Sequence, residues 1–92
     1  MLLTIDVGNT NISMGILDGE NIIGRYRLMT QTTRTSDEYG FFITTFLNTL
    51  ELKASDITGI IISSVVPPMM PTLERVCLRY FNVNPLIVNS CP

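Results

Sequence analysis

Asp6 closes an apolar run, and a short polar segment, Gly8-Asn9-Thr10-Asn11, follows it almost at once. A loop of small residues offers backbone N–H groups to phosphate oxygens, and a nearby carboxylate can hold Mg²⁺ or its waters. The same residues also fit an ordinary hairpin turn with a turn-stabilising aspartate. The segment therefore indicates either a nucleotide phosphate site or a simple turn, and the surrounding elements must decide between them.

The apolar runs on either side of this segment read as two strands, Leu2–Val7 and Ile12–Leu17. Gly and Asn tolerate a positive φ at little steric cost, so Gly8 and Asn9 predict a tight turn between antiparallel strands. Asp6 would then lie at the tip of a buried strand, one residue from the loop.

A third strand is predicted over Asn21–Leu28, after an Asp-Gly turn signal at residues 18–19. Strict alternation places the apolar and basic side chains of this strand on opposite faces. One face would carry Ile22, Tyr26 and Leu28, and the other would carry Arg25 and Arg27.

The strongest periodic pattern predicts a helix after Thr35. Thr35 and Glu38 have the spacing of a capping box, and Asp37 and Glu38 suit the positive end of a helix dipole, which makes both acids capping groups rather than catalytic ones. The helix should end near Leu52. Its apolar stripe consists of Tyr39, Phe42, Ile43, Phe46, Leu47 and Leu50.

The rest of the chain alternates strand and helix. Gly59–Ser64 reads as a strand buried on both faces, Met69–Phe81 as a helix with Pro71 in its first turn, and Pro85–Val88 as a last strand. The inward side of this helix would carry Leu73, Val76, Cys77, Tyr80 and Phe81. Right-handed crossovers then give a βββαβαβ domain of the α/β class, with a five-stranded mixed sheet in the order 3-2-1-4-5.

Composition excludes several kinds of site. The 92 residues carry six basic and eight acidic side chains and no histidine, and the basic residues are scattered, which argues against nucleic-acid binding. The two cysteines lack metal-ligand spacing, and Cys77 is expected in the core. Without a secretory signal or a long apolar span, we expect a cytoplasmic protein with no membrane contact.

Three blocks of sequence together resemble one family. They are Asp6-Val7-Gly8-Asn9-Thr10-Asn11, Thr35-Ser36-Asp37-Glu38-Tyr39-Gly40 and Ile61-Ile62-Ser63-Ser64-Val65-Val66-Pro67-Pro68. In this order and spacing the chain resembles the type III pantothenate kinases over essentially its whole length. These kinases belong to the actin-like ATPase and sugar-kinase superfamily, so the resemblance implies a ribonuclease H-like, actin-like fold.

The resemblance implies ATP-dependent phosphorylation of pantothenate to 4′-phosphopantothenate, the first step of coenzyme A biosynthesis. It also implies Mg²⁺, a monovalent cation (K⁺ or NH₄⁺), a homodimer and a cytoplasmic location. Asp6 would anchor Mg²⁺, through water. Some relatives carry a basic residue at the position of Ser13. The implied ATP-phosphate residues are Asp6, Val7, Gly8, Asn9, Thr10, Asn11, Ile12 and Ser13.

The resemblance also implies that these residues carry only half of the ATP site of a longer kinase. The family's catalytic base is an aspartate in a Gly-x-Asp-Arg segment that would follow residue 92, as would a second phosphate loop and the dimer interface. Residues 1–92 would thus be the N-terminal half-domain, with the second domain absent, and would be inactive alone.

Other interpretations stay open. Relatives have also been described as Bvg accessory transcription factors, so a regulatory role is one alternative, and another small-molecule kinase of the superfamily is a second. Ser63 and Ser64 would either face the cleft beside Asp6 or cap the next helix. Arg34 would be a solvated loop residue or a phosphate ligand.

Overall fold

Five strands and two helical segments follow one another in the predicted order. The computed structural model describes residues 1–89. The strands are β1 (Leu2–Val7), β2 (Asn11–Asp18), β3 (Asn21–Met29), β4 (Gly59–Ser64) and β5 (Leu86–Asn89). The principal helices are α1 (Ser36–Thr49) and α2 (Met70–Val76). Asn89, predicted as the first residue of an unstructured tail that runs to Pro92, is instead the last residue of β5, and residues 90–92, which include Cys91, lie outside the described residues.

The sheet has the predicted strand order, β3-β2-β1-β4-β5. β1 pairs antiparallel with β2 and parallel with β4, so it lies at the centre of the sheet. The register places Asp6 opposite Ser13 on β2 and opposite Ser63 on β4. Three polar side chains from three strands therefore share one row on one face.

The two faces of the sheet differ. Alternate residues of the central strands, such as Leu3, Ile5 and Ile62, are buried in a core shared with α1 and α2. On the opposite face the side chains of Thr4 and Asp6 are half-buried or exposed. We call this second side, which no helix among residues 1–89 covers, the open face.

A β-bulge makes one sequence prediction wrong. Ile16 pairs with Gly24, but Leu17 pairs with Ile22, so the register between β2 and β3 shifts by one residue. Such a shift moves a side chain to the other face. Ile22 therefore lies on the open face with Arg25 and Arg27, rather than with Tyr26.

The first helix starts as predicted and ends earlier. Thr35 Oγ1 accepts the N–H of Glu38 at 3.2 Å, and the Glu38 carboxylate accepts the N–H of Thr35 at 2.9 Å, which completes the capping box. Helix α1 ends at Thr49 rather than near Leu52, because Glu51 takes a left-handed conformation with φ 60°.

The second helical segment is less uniform than predicted. A 3₁₀ turn over Pro67–Met69 leads into α2, which contains Pro71 in its first turn, and a π turn over Cys77–Phe81 ends the segment. Cys77 and the other predicted inward residues are buried, except Tyr80, which is half-buried. Gly40 of α1 lies directly under the Tyr80 ring and brings the two helices close together.

Candidate functional site

No residue of the loop between β1 and β2 has a left-handed backbone conformation. The Gly8 N–H donates to the Asn11 carbonyl at 2.9 Å and closes the loop. Within residues 1–89, positive φ angles occur only at Gly19, Glu51 and Asn82, so the predicted tight turn forms without the positive φ that Gly and Asn tolerate. Glycine fits position 8 for a steric reason, because a Cβ there would lie 3.1 Å from the Asn11 carbonyl oxygen.

The segment after β3 holds this loop in place. Thr30 Oγ1 donates to the Gly8 carbonyl at 2.8 Å, and the Thr30 N–H donates to the Thr10 carbonyl at 2.8 Å. The hydroxyl of the fully buried Tyr39 in turn donates to the Gln31 carbonyl at 2.6 Å. Sequence reasoning missed Thr30. Its only signal was its position, since a three-strand meander returns the end of the third strand to the start of the second.

The loop leaves hydrogen-bond donors free on its outer side. Asn9 and Thr10 are exposed, and their N–H groups donate to no group within residues 1–89. Successive free N–H groups in a turn form a concave site that favours anions. The loop can therefore receive phosphate oxygens.

Apart from Asp6 and Gly8, the predicted phosphate residues divide into two sets by the exposure of their side chains. Asn9, Thr10, Asn11 and Ser13 are exposed and can present their side chains to a ligand. The side chains of Val7 and Ile12 are buried in the core, so these two residues can contribute backbone groups only.

Asp6 presents its carboxylate on the open face. Its side chain is exposed and forms no hydrogen bond or ion pair within residues 1–89. The hydroxyls of Ser13 and Ser63 flank it in the same row of the sheet. A shallow cavity of about 730 Å³ lies over this face. Its lining includes Thr4, Asp6, Ser13, Gly15, Arg25 and Arg27.

The oxygen atoms of Asp6 and of the two serines beside it suit one kind of metal ion. No group of three or more His, Cys, Asp or Glu residues that could hold a metal occurs among residues 1–89. Mg²⁺ needs no such cluster, because it keeps several waters and is bound by one or two carboxylates together with substrate phosphates. Asp6, with two neighbouring hydroxyls and a phosphate-receiving loop, fits Mg²⁺ in this way.

The two serines that end β4 have different roles. Ser64 Oγ accepts the Val66 N–H at 2.9 Å and donates to the Val66 carbonyl at 3.2 Å, so it stabilises the turn that enters the second helical segment. Ser63 faces the same side as Asp6. Of the pair, only Ser63 lies in the row of the site.

The other polar candidates near the loop are structural. Arg34 donates to the Met29 carbonyl at 2.7 Å and lies 5.0 Å from the centre of the Phe42 ring, so its partly exposed guanidinium is tied to the end of β3 rather than directed at the site. Glu38 completes the capping box. Asp37 forms an ion pair with Arg79 at 3.2 Å and accepts the Tyr80 hydroxyl at 2.8 Å, instead of serving only as a cap.

The family model for "Type III pantothenate kinase" matches residues 2–92. The chain belongs to the type III pantothenate kinase family. The match spans both the Asp6 loop and β4, which carries Ser63, the two parts of the chain that form the site.

Curated relatives of this pantothenate kinase family agree over nearly the whole chain. The type III pantothenate kinase of Geobacillus kaustophilus is 52% identical over 88 residues, which are 96% of this chain and 34% of the relative. That of Listeria welshimeri is 50% identical over 88 residues, with the same coverage of each chain. The chain thus spans about a third of the length of the curated relatives it matches.

Solved structures show the fold. The ROK hexokinase of Thermus thermophilus superposes with a TM-score of 0.72 at 11% identity, over 96% of this chain and 34% of its own. A putative N-acetylglucosamine kinase of Porphyromonas gingivalis gives a TM-score of 0.67 at 19% identity, over 97% and 34%. The predicted actin-like ATPase fold is confirmed. No helix among residues 1–89 has the length and apolar character needed to span a membrane.

Proposed function

We propose that these residues form the N-terminal domain of a longer kinase that phosphorylates pantothenate with ATP. Membership of the type III pantothenate kinase family supports the reaction. The assignment of a site depends on one observation, the position of Asp6. Its carboxylate is exposed beside a loop in which the N–H groups of Asn9 and Thr10 form no hydrogen bond within residues 1–89. Coverage of only 34% of the Geobacillus relative supports the view that a second domain belongs to the complete enzyme.

Each residue of the loop then has a separate task. The N–H groups of Asn9 and Thr10 hold phosphate oxygens, and the side chains of Asn11 and Ser13 line the phosphate tail. Asp6 orients Mg²⁺ through water. Bound Mg²⁺ would neutralise charge on the phosphate oxygens during transfer. Phosphoryl transfer depends mainly on such positioning and charge stabilisation, so a rigid loop is the principal contribution of this domain.

The remaining parts of the reaction are assigned to the second domain. Among residues 1–89, Asp6 is the only carboxylate in the row of the site, and a carboxylate that serves the metal is unsuited to take the proton of the pantothenate hydroxyl. We therefore infer that the base, the pantothenate contacts and the second phosphate loop come from beyond residue 92. A monovalent cation, a homodimer and a cytoplasmic location are proposed on the family resemblance alone.

The test compares the full-length protein with residues 1–92 alone. We expect the full-length protein to convert pantothenate and MgATP to 4′-phosphopantothenate and ADP, followed by mass spectrometry, and the 92-residue chain to form no product. A full-length protein that leaves pantothenate unchanged would overturn the assignment and favour a regulatory role. Phosphorylation of another small molecule instead would indicate a different kinase. Product formation by the 92-residue chain, after removal of contaminating host kinase, would contradict the assignment of the base and the pantothenate contacts to the second domain.

A further inference from the structure

Arg27 lies in the same row of the sheet as Asp6. Arg27 on β3 pairs with Ser13 on β2, and Ser13 pairs with Asp6 on β1. Directly paired residues of neighbouring antiparallel strands share a face, and strands are about 4.8 Å apart. Arg27 and Asp6 therefore lie on the open face with their backbones about 10 Å apart, and both line the cavity above it.

Neither charge is neutralised by the other. The ion pair formed within residues 1–89 joins Arg79 and Asp37, and the side chains of Arg27 and Asp6 form neither an ion pair nor a hydrogen bond there. Ser13, which stands between them, has a short side chain, so the space between the two charges is open to the cavity.

This arrangement matches a ligand that carries both charges. The carboxylate on one side of Ser13 attracts a cation, and the guanidinium on the other side attracts an anion. A phosphate group with a bound Mg²⁺ presents both within a few ångströms, with the metal toward Asp6 and the phosphate oxygens toward Arg27. The planar guanidinium fork fits phosphate oxygens with two parallel hydrogen bonds.

We propose that Arg27 is a phosphate-binding residue of the nucleotide site, where its guanidinium donates to the phosphate tail above Ser13 while Asp6 holds the metal. The inference rests on the proposed function, since it assumes that the loop at residues 8–11 receives a nucleotide. It adds a cationic ligand from the third strand, beyond the hairpin that forms the loop.

Arg25 provides a matched comparison on the same strand. It also lines the cavity, but it pairs with Gly15, one row farther from the loop. Two residues along a strand correspond to about 6.6 Å, so Arg25 is opposite Thr4 rather than Asp6. If positive charge on this face acts in a general way, substitution of either arginine should weaken MgATP binding. If Arg27 contacts phosphate, only the substitution of Arg27 should do so.

The experiment measures ligand binding to the full-length protein by calorimetry, without pantothenate. Arg27→Gln should weaken MgATP binding about tenfold to a hundredfold, as expected for loss of hydrogen bonds to a charged group, and leave adenosine binding unchanged. Arg27→Lys should lose less, because it keeps the charge without the fork. Arg25→Gln should stay within about twofold of the wild type.

Several results would overturn the inference. MgATP affinity that is unchanged in Arg27→Gln, or reduced equally in Arg25→Gln, would exclude a specific phosphate contact. Equal losses for MgATP and adenosine, accompanied by a lower unfolding temperature, would assign Arg27 a structural role. A wild type that binds MgATP without phosphorylating pantothenate contradicts the proposed function. The MgATP affinities of Arg27→Gln and Arg25→Gln would still show whether Arg27 contacts phosphate. A wild type that binds no nucleotide contradicts both.

Discussion

The Thr30 hydroxyl donates a 2.8 Å hydrogen bond to the Gly8 carbonyl, and so ties the end of β3 to the loop that follows Asp6. The Thr30 N–H bonds the Thr10 carbonyl of the same loop at 2.8 Å. Both bonds satisfy carbonyl oxygens and leave the N–H groups of Asn9 and Thr10 unused. A loop that is fixed through its acceptors keeps its donors in place for an anion, which lowers the cost of ordering them on binding.

Thr30→Val should destabilise the protein and weaken MgATP binding. Valine keeps the shape and the backbone bond but leaves the Gly8 carbonyl without its side-chain donor, at a cost of about 1–2 kcal/mol in the free energy of unfolding. Urea denaturation and calorimetry measure the two effects. Thr33→Val is the control, because Thr33 is exposed and its side chain makes no hydrogen bond within residues 1–89. Thr30→Ser should restore both properties, and equal losses at positions 30 and 33 would contradict this role.

Sequence patterns predicted the features that depend on neighbouring residues or on chain handedness. The Thr35–Glu38 capping box is local, and the strand order followed from right-handed crossovers. The position of Ile22 was wrong because a bulge between β2 and β3 is set by pairing with another strand. The Thr30 tether was missed for the same reason, since it links residues that are 22 apart in the chain.

For the site, the sequence indicated which residues carry the chemistry but not how they are arranged. Asp6 and the polar loop were recognisable from their types, whereas the row that joins Arg27, Ser13 and Asp6 depends on strand register. The sequence did not predict that α1 ends before Leu52, because Glu51 occupies the left-handed position after the helix that glycine usually occupies.

Asp6→Asn in the full-length protein should preserve the fold and reduce kcat at least a hundredfold. The exchange is nearly isosteric at an exposed position, but it removes the charge that faces Mg²⁺, and metal-assisted charge stabilisation contributes several kcal/mol. Asp18→Asn, at the far end of β2 and also exposed, is the matched control and should keep normal turnover. Near wild-type turnover of Asp6→Asn at saturating Mg²⁺ and ATP would show that Asp6 has only a structural role in the turn.

Glu51→Gly should stabilise the protein by about 1 kcal/mol. The Leu52 N–H bonds the Leu47 carbonyl at 2.9 Å and the Glu51 N–H bonds the Asn48 carbonyl at 3.0 Å, which is a Schellman ending of α1. Glu51 has φ 60° there, where glycine has no Cβ penalty, and its negative charge also opposes the helix dipole. Glu51→Gln separates the two effects in thermal denaturation, since it removes the charge alone. A Gly variant no more stable than the Gln variant would refute the conformational argument.

Gly40→Ala should destabilise the protein although alanine is the better helix former by about 1 kcal/mol. A Cβ at position 40 would overlap the Cε2, Cζ and Cδ2 atoms of the Tyr80 ring. Displacing that ring would cost about 1–3 kcal/mol as overpacking and would break the Tyr80–Asp37 hydrogen bond. In a Tyr80→Ala background the same substitution should become stabilising, and a double-mutant cycle from urea denaturation measures the difference. Equal effects in both backgrounds would show that the ring does not oppose a side chain there.

Cys77 should make the fold sensitive to alkaline pH. Burial raises the pKa of the Cys77 thiol from an ordinary 9.0 to about 11, with a smaller contribution from the Glu74 carboxylate. A raised pKa in the folded state means that the folded protein binds this proton more tightly than the unfolded chain does. The contribution is fully present below pH 9 and is lost as the pH rises toward 11.

The measurement is the free energy of unfolding of the wild type minus that of Cys77→Ala, taken from pH 8 to pH 10. We expect the wild type to lose about 1 kcal/mol relative to the variant over this interval. Tyr80, whose pKa is raised chiefly by its hydrogen bond to Asp37, is present in both proteins, so its titration cancels in the difference. A difference that stays constant with pH would show that the Cys77 thiol titrates alike in the folded and unfolded chains, and that its burial does not hold the proton.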